Sequence, residues 1–291
     1  MIWLFDVFIA PFLEFAFMQK ALLGALMLSL SAGPVGVFLM LRRMSLTGDA
    51  MAHAILPGAA AGFLLFGLEI LPMTIGGLVA GVLVALGAGA VSRLTIQKED
   101  ASMAAFYLIA LSVGVVMVSM RGSSIDLMHV LFGTVLALNT DALVLIGLVA
   151  LTTMLVLAVF WRALVSECLD PLFLRSVSRL GSPVHFIFLG LVVLNLVAGF
   201  QALGTLLSVG LMVLPAVSAR FWAHRVETMA LLAVAIGMAS SISGLLLSYH
   251  LSLPSGAAMI LSAGVAYAVS VVAGRRGLLL TLRPRASHRT A

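Results

Sequence analysis

Leu41-Arg42-Arg43-Met44-Ser45-Leu46-Thr47-Gly48-Asp49-Ala50-Met51-Ala52-His53-Ala54-Ile55-Leu56-Pro57-Gly58 is the stretch from which the rest of the chain is read. An apolar run over 21–41 stops at an arginine pair, and a second run, over 48–67, follows at once. Runs of that length set off by basic residues are read as helices crossing a bilayer. Asp49 and His53 are four apart, so a helix places them on one face, a turn from each other. An ionisable side chain at the centre of a bilayer costs about 3 kcal/mol on insertion scales. Two on one face therefore mark a candidate ion site. A divalent cation fits it, because carboxylate oxygen and imidazole nitrogen both bind zinc and manganese.

Composition agrees with a membrane solvent. Of 291 residues, 63% are hydrophobic and 9% charged, and the mean hydropathy is +1.22. No water-soluble domain buries that much apolar surface. A single cysteine, Cys168, excludes an internal disulfide and a cysteine-based metal cluster. The net charge of +5 is too small and scattered for nucleic acid. Asp6 and Glu14 interrupt the first apolar run and no basic segment precedes it, so a cleavable signal is not expected.

The apolar runs predict an all-α, polytopic membrane protein with eight or nine transmembrane helices, at roughly 21–41, 48–67, 72–92, 103–120, 141–161, 184–200, 203–222, 228–248 and 256–273. The split at 200–203 reads either as a tight turn or as a break in mid-membrane. Residues 1–16, with Trp3, Phe5, Phe8, Phe12 and Phe15 beside Asp6 and Glu14, are expected as a helix lying in the interface. With nine spans and residue 1 outside, 14 of the 16 basic residues fall inside, leaving only Lys20 and Arg121 outside. The positive-inside rule then places the tail 274–291 in the cytoplasm. Gly76, Gly77, Gly81, Gly87 and Gly89 in one span predict close helix packing.

Residues 162–183 form the longest polar interior segment, with a short cytoplasmic helix expected within 166–183. Asp170 can cap a helix whose first position is Pro171, Phe173 contributes to its apolar side, and Gly181 with Pro183 ends it. The pattern alone leaves two readings open: a connecting loop at the lipid interface, or a docking element for a soluble partner.

The run Leu41 to Gly58 resembles the signature of the membrane permeases of bacterial zinc and manganese ABC importers. Asp126-Leu127-Met128-His129-Val130-Leu131-Phe132-Gly133, Gly204 to Ala216 and Leu247 to Gly256 resemble further blocks of that family, in the same order. The resemblance implies one permease domain over 1–291 and a homodimeric pore in the cytoplasmic (inner) membrane. It further implies a cytoplasmic ATPase under each copy and a solute-binding protein that delivers the metal. Asp49 and His53 match the family's metal contacts. The helix at 170–180, with Asp170, Pro171, Phe173 and Gly181, matches its coupling helix. The chain has no Gly-x-x-x-x-Gly-Lys-Ser/Thr loop, so ATP is expected on the partner subunit. No permanently bound cofactor and no catalytic activity are expected here. Zinc is favoured as cargo, with manganese or iron as the alternative.

Hydropathy puts Asp49 and His53 close after Arg42-Arg43, shallower than a gate requires. Either the arginines are drawn into the protein or span two begins inside the bundle. Taken singly, Asp49 also reads as a helix cap and His53 as a hydrogen-bonded interior histidine. Asn195 and Gln201 are expected to bond between helices. Asp126 and His129 are expected on an outer surface, His250 in an outer loop and Glu69 at the outer end of span two. A proton- or sodium-coupled secondary transporter and an intramembrane hydrolase are the other classes. No repeat of the Asp49–Gly58 block supports the first, and no His-Glu-x-x-His or Gly-x-Ser-x-Gly motif supports the second.

Overall fold

The computed structural model describes residues 10–67, 69–120, 138–170 and 181–281. Every regular element among them is a helix. In chain order they are α1 (Ala10–Glu14), α2 (Ala16–Leu41), α3 (Ser45–Ala54), α4 (Leu56–Phe66), α5 (Ile70–Leu94), α6 (Glu99–Met120), α7 (Thr140–Leu169), α8 (Gly181–Leu203), α9 (Thr205–Arg220), α10 (Val226–Leu251), α11 (Ser255–Ala273) and α12 (Leu278–Thr281). Eight stretches are long and apolar enough to cross a membrane, α3 and α4 counting together as one. The shorter α9 makes a ninth passage. The all-α polytopic expectation is met.

Lipid exposure is written along the helices. Leu71, Ile75, Val79 and Leu83 on α5, Val144, Leu148, Leu151, Leu155 and Val159 on α7, and Leu261, Val265 and Val269 on α11 are exposed. The three-to-four spacing makes each row a stripe on one helix face. Hydrocarbon solvates such stripes, so apolarity does not drive helices together there, and close packing must. Small residues supply it. Gly36 of α2 lies on the Met212 carbonyl of α9, where a Cβ would collide. Gly58 of α4 and Gly76 of α5 each occupy the place where the other's Cβ would meet backbone. Ser29 of α2 faces Gly237 and, at 3.4 Å, Ser241 on α10. The glycines expected to tighten span three do so: Gly77 and Gly81 pack on Ile55, and Gly87 on Phe106.

Contacts between the helix termini define two ends of the bundle. At one, Lys20 Nζ donates to Thr140 Oγ1 (3.3 Å), Phe15 meets Tyr249 (5.8 Å between rings), and Glu69, Asn139 and Asp141 surround one hollow. At the other, Arg42 meets Glu167, Arg220 meets Met40, Trp161 meets Glu227, and the Arg276 amide donates to the Phe221 carbonyl. The passages alternate between these ends, as nine spans require.

The doubtful split at 200–203 resolves as a turn one residue later. Gly204 (φ 89°) separates α8 from α9. Ser208 Oγ then donates back to the Leu196 carbonyl (3.4 Å), so the two helices fold side by side. With sixteen residues, α9 spans about 24 Å at 1.5 Å per residue, short of a hydrocarbon core of about 30 Å. Its N-terminal turn is buried in protein, with Leu203, Gly204 and Thr205 covered. Broken backbone at depth requires that cover.

Of the expected interfacial helix 1–16, residues 10–14 are helical, and extended Phe15 divides them from α2. Residues 1–9, Arg121, Asp126, His129, Pro171, Phe173 and the tail beyond 281 lie outside the described residues.

Candidate metal site and the Arg42 end of the bundle

The site begins with how α2 stops. Arg43 takes a left-handed conformation (φ 60°). Its amide bonds the Met40 carbonyl (3.1 Å), and the Met44 amide bonds the Leu39 carbonyl (2.9 Å). This pair of bonds is the Schellman arrangement, which satisfies the last carbonyls and turns the chain sharply. The next helix, α3, therefore starts at Ser45, three residues before the expected start of span two. It ends at Ala54, because Pro57 has no N–H to give to the His53 carbonyl. Span two is thus a broken helix, with Asp49 and His53 in the half nearer the Arg42 end of the bundle.

Asp49 Oδ1 and His53 Nε2 lie 3.9 Å apart, with the side chains 65% and 32% exposed. Two ligands about 2.1 Å from one ion at a tetrahedral angle sit about 3.4 Å apart. A small side-chain rotation closes the difference. Asp49 does not cap α3: it lies within the helix, and the N-terminal position is Met44, which makes no side-chain bond. Asp49 lines a hollow of about 320 Å³ with Arg43, Thr47, Asp100, Met103 and Tyr107, between α3 and the start of α6. The Tyr107 ring lies 6.5 Å from that of His53. His53 Nδ1 is buried and has no hydrogen-bond partner among the described residues. No group of three or more His, Cys, Asp or Glu is gathered among the described residues either. One chain thus offers one carboxylate and one imidazole on a partly open face.

The arginine pair divides: Arg43 stays exposed, and its neighbour turns inward. Arg42 is drawn into the protein and is only 10% exposed. Its Nη2 donates to Glu167 Oε1 (2.9 Å) and to His185 Nδ1 (2.8 Å), and its guanidinium lies 4.7 Å from the centre of the Phe188 ring. Glu167 and His185 are 2% and 6% exposed. Sequence reading missed this cluster, because a basic residue after an apolar run reads as a topology anchor. Glu167 was legible only as part of a polar segment. Its sole signal was a carboxylate within that segment and an imidazole just after it.

Asp170 follows α7 in extended backbone, and its amide bonds the Ser166 carbonyl (2.9 Å). Gly181 is the first residue of α8. Asn195 bonds between helices as expected, Nδ2 donating to Thr153 Oγ1 on α7 (2.9 Å). Gln201 Nε2 is buried and has no partner among the described residues. Glu69 precedes α5 at the end of the bundle opposite Arg42. His250 is exposed but helical, in the last turn of α10 rather than in a loop.

The sequence profile of the ABC 3 transport family matches residues 14–274. The chain belongs to the ABC 3 transport family. The manganese import system permease protein ScaB of Streptococcus gordonii is 33% identical over 264 residues, 90% of this chain and 93% of that one. The manganese transport system membrane protein MntC of Halalkalibacterium halodurans is 32% identical over 265 residues, 90% and 89% of the two chains. The solved structure of PsaBC from Streptococcus pneumoniae in complex with Fab superposes with a TM-score of 0.83 at 30% identity, covering 94% of this chain and 98% of that one. As a member of the ABC 3 family the chain is a multi-pass permease subunit, a transport component without catalytic activity of its own. The preference for zinc drawn from sequence finds no support in these relatives, which are named for manganese.

Proposed function

We propose that this chain is the permease of an ATP-driven manganese importer. Two copies form the path, with Asp49 and His53 contacting the ion. An ATPase subunit on the inner side and a solute-binding protein on the outer side are its partners. The inner side is the end that carries Arg42, Arg220 and Arg276, and the membrane is the bacterial cytoplasmic membrane. Membership in the ABC 3 transport family carries the class, and the names of ScaB and MntC favour manganese over zinc.

The site assignment is supported by the exposure of Asp49. A carboxylate in a membrane span faces protein or a water-filled cavity, and in one chain this one is 65% exposed. A second copy related by a twofold axis would cover that face and bring two Asp and two His together. Waters or carbonyl oxygens would complete the larger, oxygen-rich shell that manganese takes. Such a site holds its ion weakly, because transport requires release.

The test is manganese uptake into proteoliposomes holding this chain with its ATPase and binding protein, competed by zinc and iron. ATP-dependent manganese entry is expected, and Asp49→Ala or His53→Ala should abolish it without loss of membrane insertion. Wild-type uptake by either variant would remove the site. Zinc outcompeting manganese would restore the first choice of metal. Entry driven by a proton gradient without ATP would sink the importer class.

A further inference from the structure

The hollow beside Asp49 has a second carboxylate in its wall. Asp100 of α6 lines it together with Arg43, Thr47, Met103, Ala104 and Tyr107. Positions 100, 103, 104 and 107 fall on one face of a helix, so α6 turns a single face to α3 here. An acid in the first turn of a helix is favoured by the helix dipole wherever it points. Asp100 is set apart because it opens the face of α6 that looks on Asp49.

Two contacts fix the register of that face. The Tyr107 ring lies 6.5 Å from the His53 ring. Further along, a Cβ on Gly114 would lie 3.2 Å from the backbone nitrogen of Pro57. Both α3 and α6 start at the Arg42 end of the bundle and run the same way. Asp100 precedes Tyr107 by seven residues, whereas Asp49 precedes His53 by four. At 1.5 Å per residue, Asp100 lies about 4.5 Å closer to the Arg42 end than Asp49, nearly one turn. His53, Asp49 and Asp100 therefore form a column along one seam, in steps of about a turn. The column is a series rather than one shell, since no three such groups gather around a common point among the described residues.

The hollow suits an ion that is regaining water. Its volume is about 320 Å³, and six waters around an ion take up about 180 Å³. Conduction needs several weak contacts in sequence rather than one tight site. Carboxylate and water oxygens are ligands that manganese accepts. Arg43 lines the hollow too, and pairs with neither carboxylate among the described residues. A fixed positive charge beside the ion weakens its hold, as release requires.

We propose that Asp100 is a second ion contact on the release side of Asp49 and His53, an oxygen ligand that receives the ion as it rehydrates. The proposal rests on the manganese-importer reading above, in which the Arg42 end faces the cytoplasm. Asp49 and His53 hold the ion with its water partly stripped, and the charge of Asp100 draws it onward.

The experiment uses the full complex in proteoliposomes and reads manganese uptake beside ATP hydrolysis. Asp100→Asn keeps the volume and removes the charge. It should lower the uptake rate about 10-fold, a usual loss when a group that tunes a metal site is removed, with the melting temperature unchanged. Asp100→Glu should restore most of the rate. Asp100→Cys in a Cys168→Ala background gives a direct reading. A thiolate binds soft ions, so cadmium added on the ATP side should block uptake by this variant and spare Cys168→Ala alone. Wild-type uptake by Asp100→Asn would overturn the proposal. So would equal losses in Asp100→Asn and Asp100→Glu, or uptake by Asp100→Cys that cadmium does not touch. If Asp100→Cys carries no manganese even without cadmium, the contrast between Asn and Glu decides. Manganese entry into wild-type proteoliposomes without ATP would remove the importer reading itself. ATP-driven entry that Asp49→Ala abolishes and Asp100→Asn leaves intact would remove only the role of Asp100.

Discussion

Arg43 occupies a left-handed position that an L-residue adopts at a cost of about 1–2 kcal/mol, and at which glycine is the usual occupant. Arg43→Gly should therefore raise or preserve the melting temperature of the detergent-solubilised protein. A clear fall would mean that contacts of the guanidinium outweigh the strain of the turn. Asn195 tests the opposite case, a polar group placed by tertiary structure. Asn195→Ala removes the bond to Thr153 and should destabilise by about 0.6 kcal/mol, the mean for hydrogen bonds between membrane helices. Thermal unfolding beside the wild type decides it, and no measurable loss would show that Thr153 recovers a partner within its own helix. The bonding role of Asn195 was legible in the sequence, because an amide inside an apolar run must find an acceptor or donor. The role of Arg42 was not. Its partners stand 125 and 143 residues away, and no local pattern links positions that far apart.

The broken span α3–α4 and the glycine contact beneath it belong to the scale of elements. Pro57 divides the span by withholding an amide from the His53 carbonyl. Pro57→Ala should let the helix run straight, keeping thermal stability while lowering manganese uptake several-fold, because the inner half of the span would then point away from α6. Uptake at the wild-type level would show that the break is dispensable. Gly58 and Gly76 hold α4 against α5 backbone to backbone. Gly76→Val must push the helices apart and should destabilise by about 1–3 kcal/mol, as overpacking of a tight contact does. A melting temperature equal to wild type would refute so close an approach. The existence of both helices, and the density of glycine between them, could be read from the sequence. The partner of each glycine could not, since small residues favour close contact without naming a neighbour. Likewise α9 was legible as a separate passage, but its turn at Gly204 falls one residue later than the apolar pattern placed it.

Across the whole molecule the testable quantity is orientation. Lys98 lies just before Asp100, at the end of the bundle that holds Arg43 and Asp49, and Glu69 lies at the opposite end beside Asn139 and Asp141. In a Cys168→Ala background, a membrane-impermeant thiol reagent should label Glu69→Cys in intact spheroplasts and Lys98→Cys only in inverted vesicles. The reverse pattern would invert the topology and move the proposed ATPase surface to the other side. Hydropathy and the distribution of arginine determined by themselves that this is a helical membrane protein with eight or nine passages. Both are sums over many residues and tolerate local error. The Asp49–His53 pair was equally legible, because two ligands one turn apart are a local pattern. Tertiary structure alone decided where those residues face. It also drew Arg42 into a buried cluster with Glu167 and His185. Burying a charge depends on which helix ends meet in space, and that is a long-range outcome of packing that no single segment encodes.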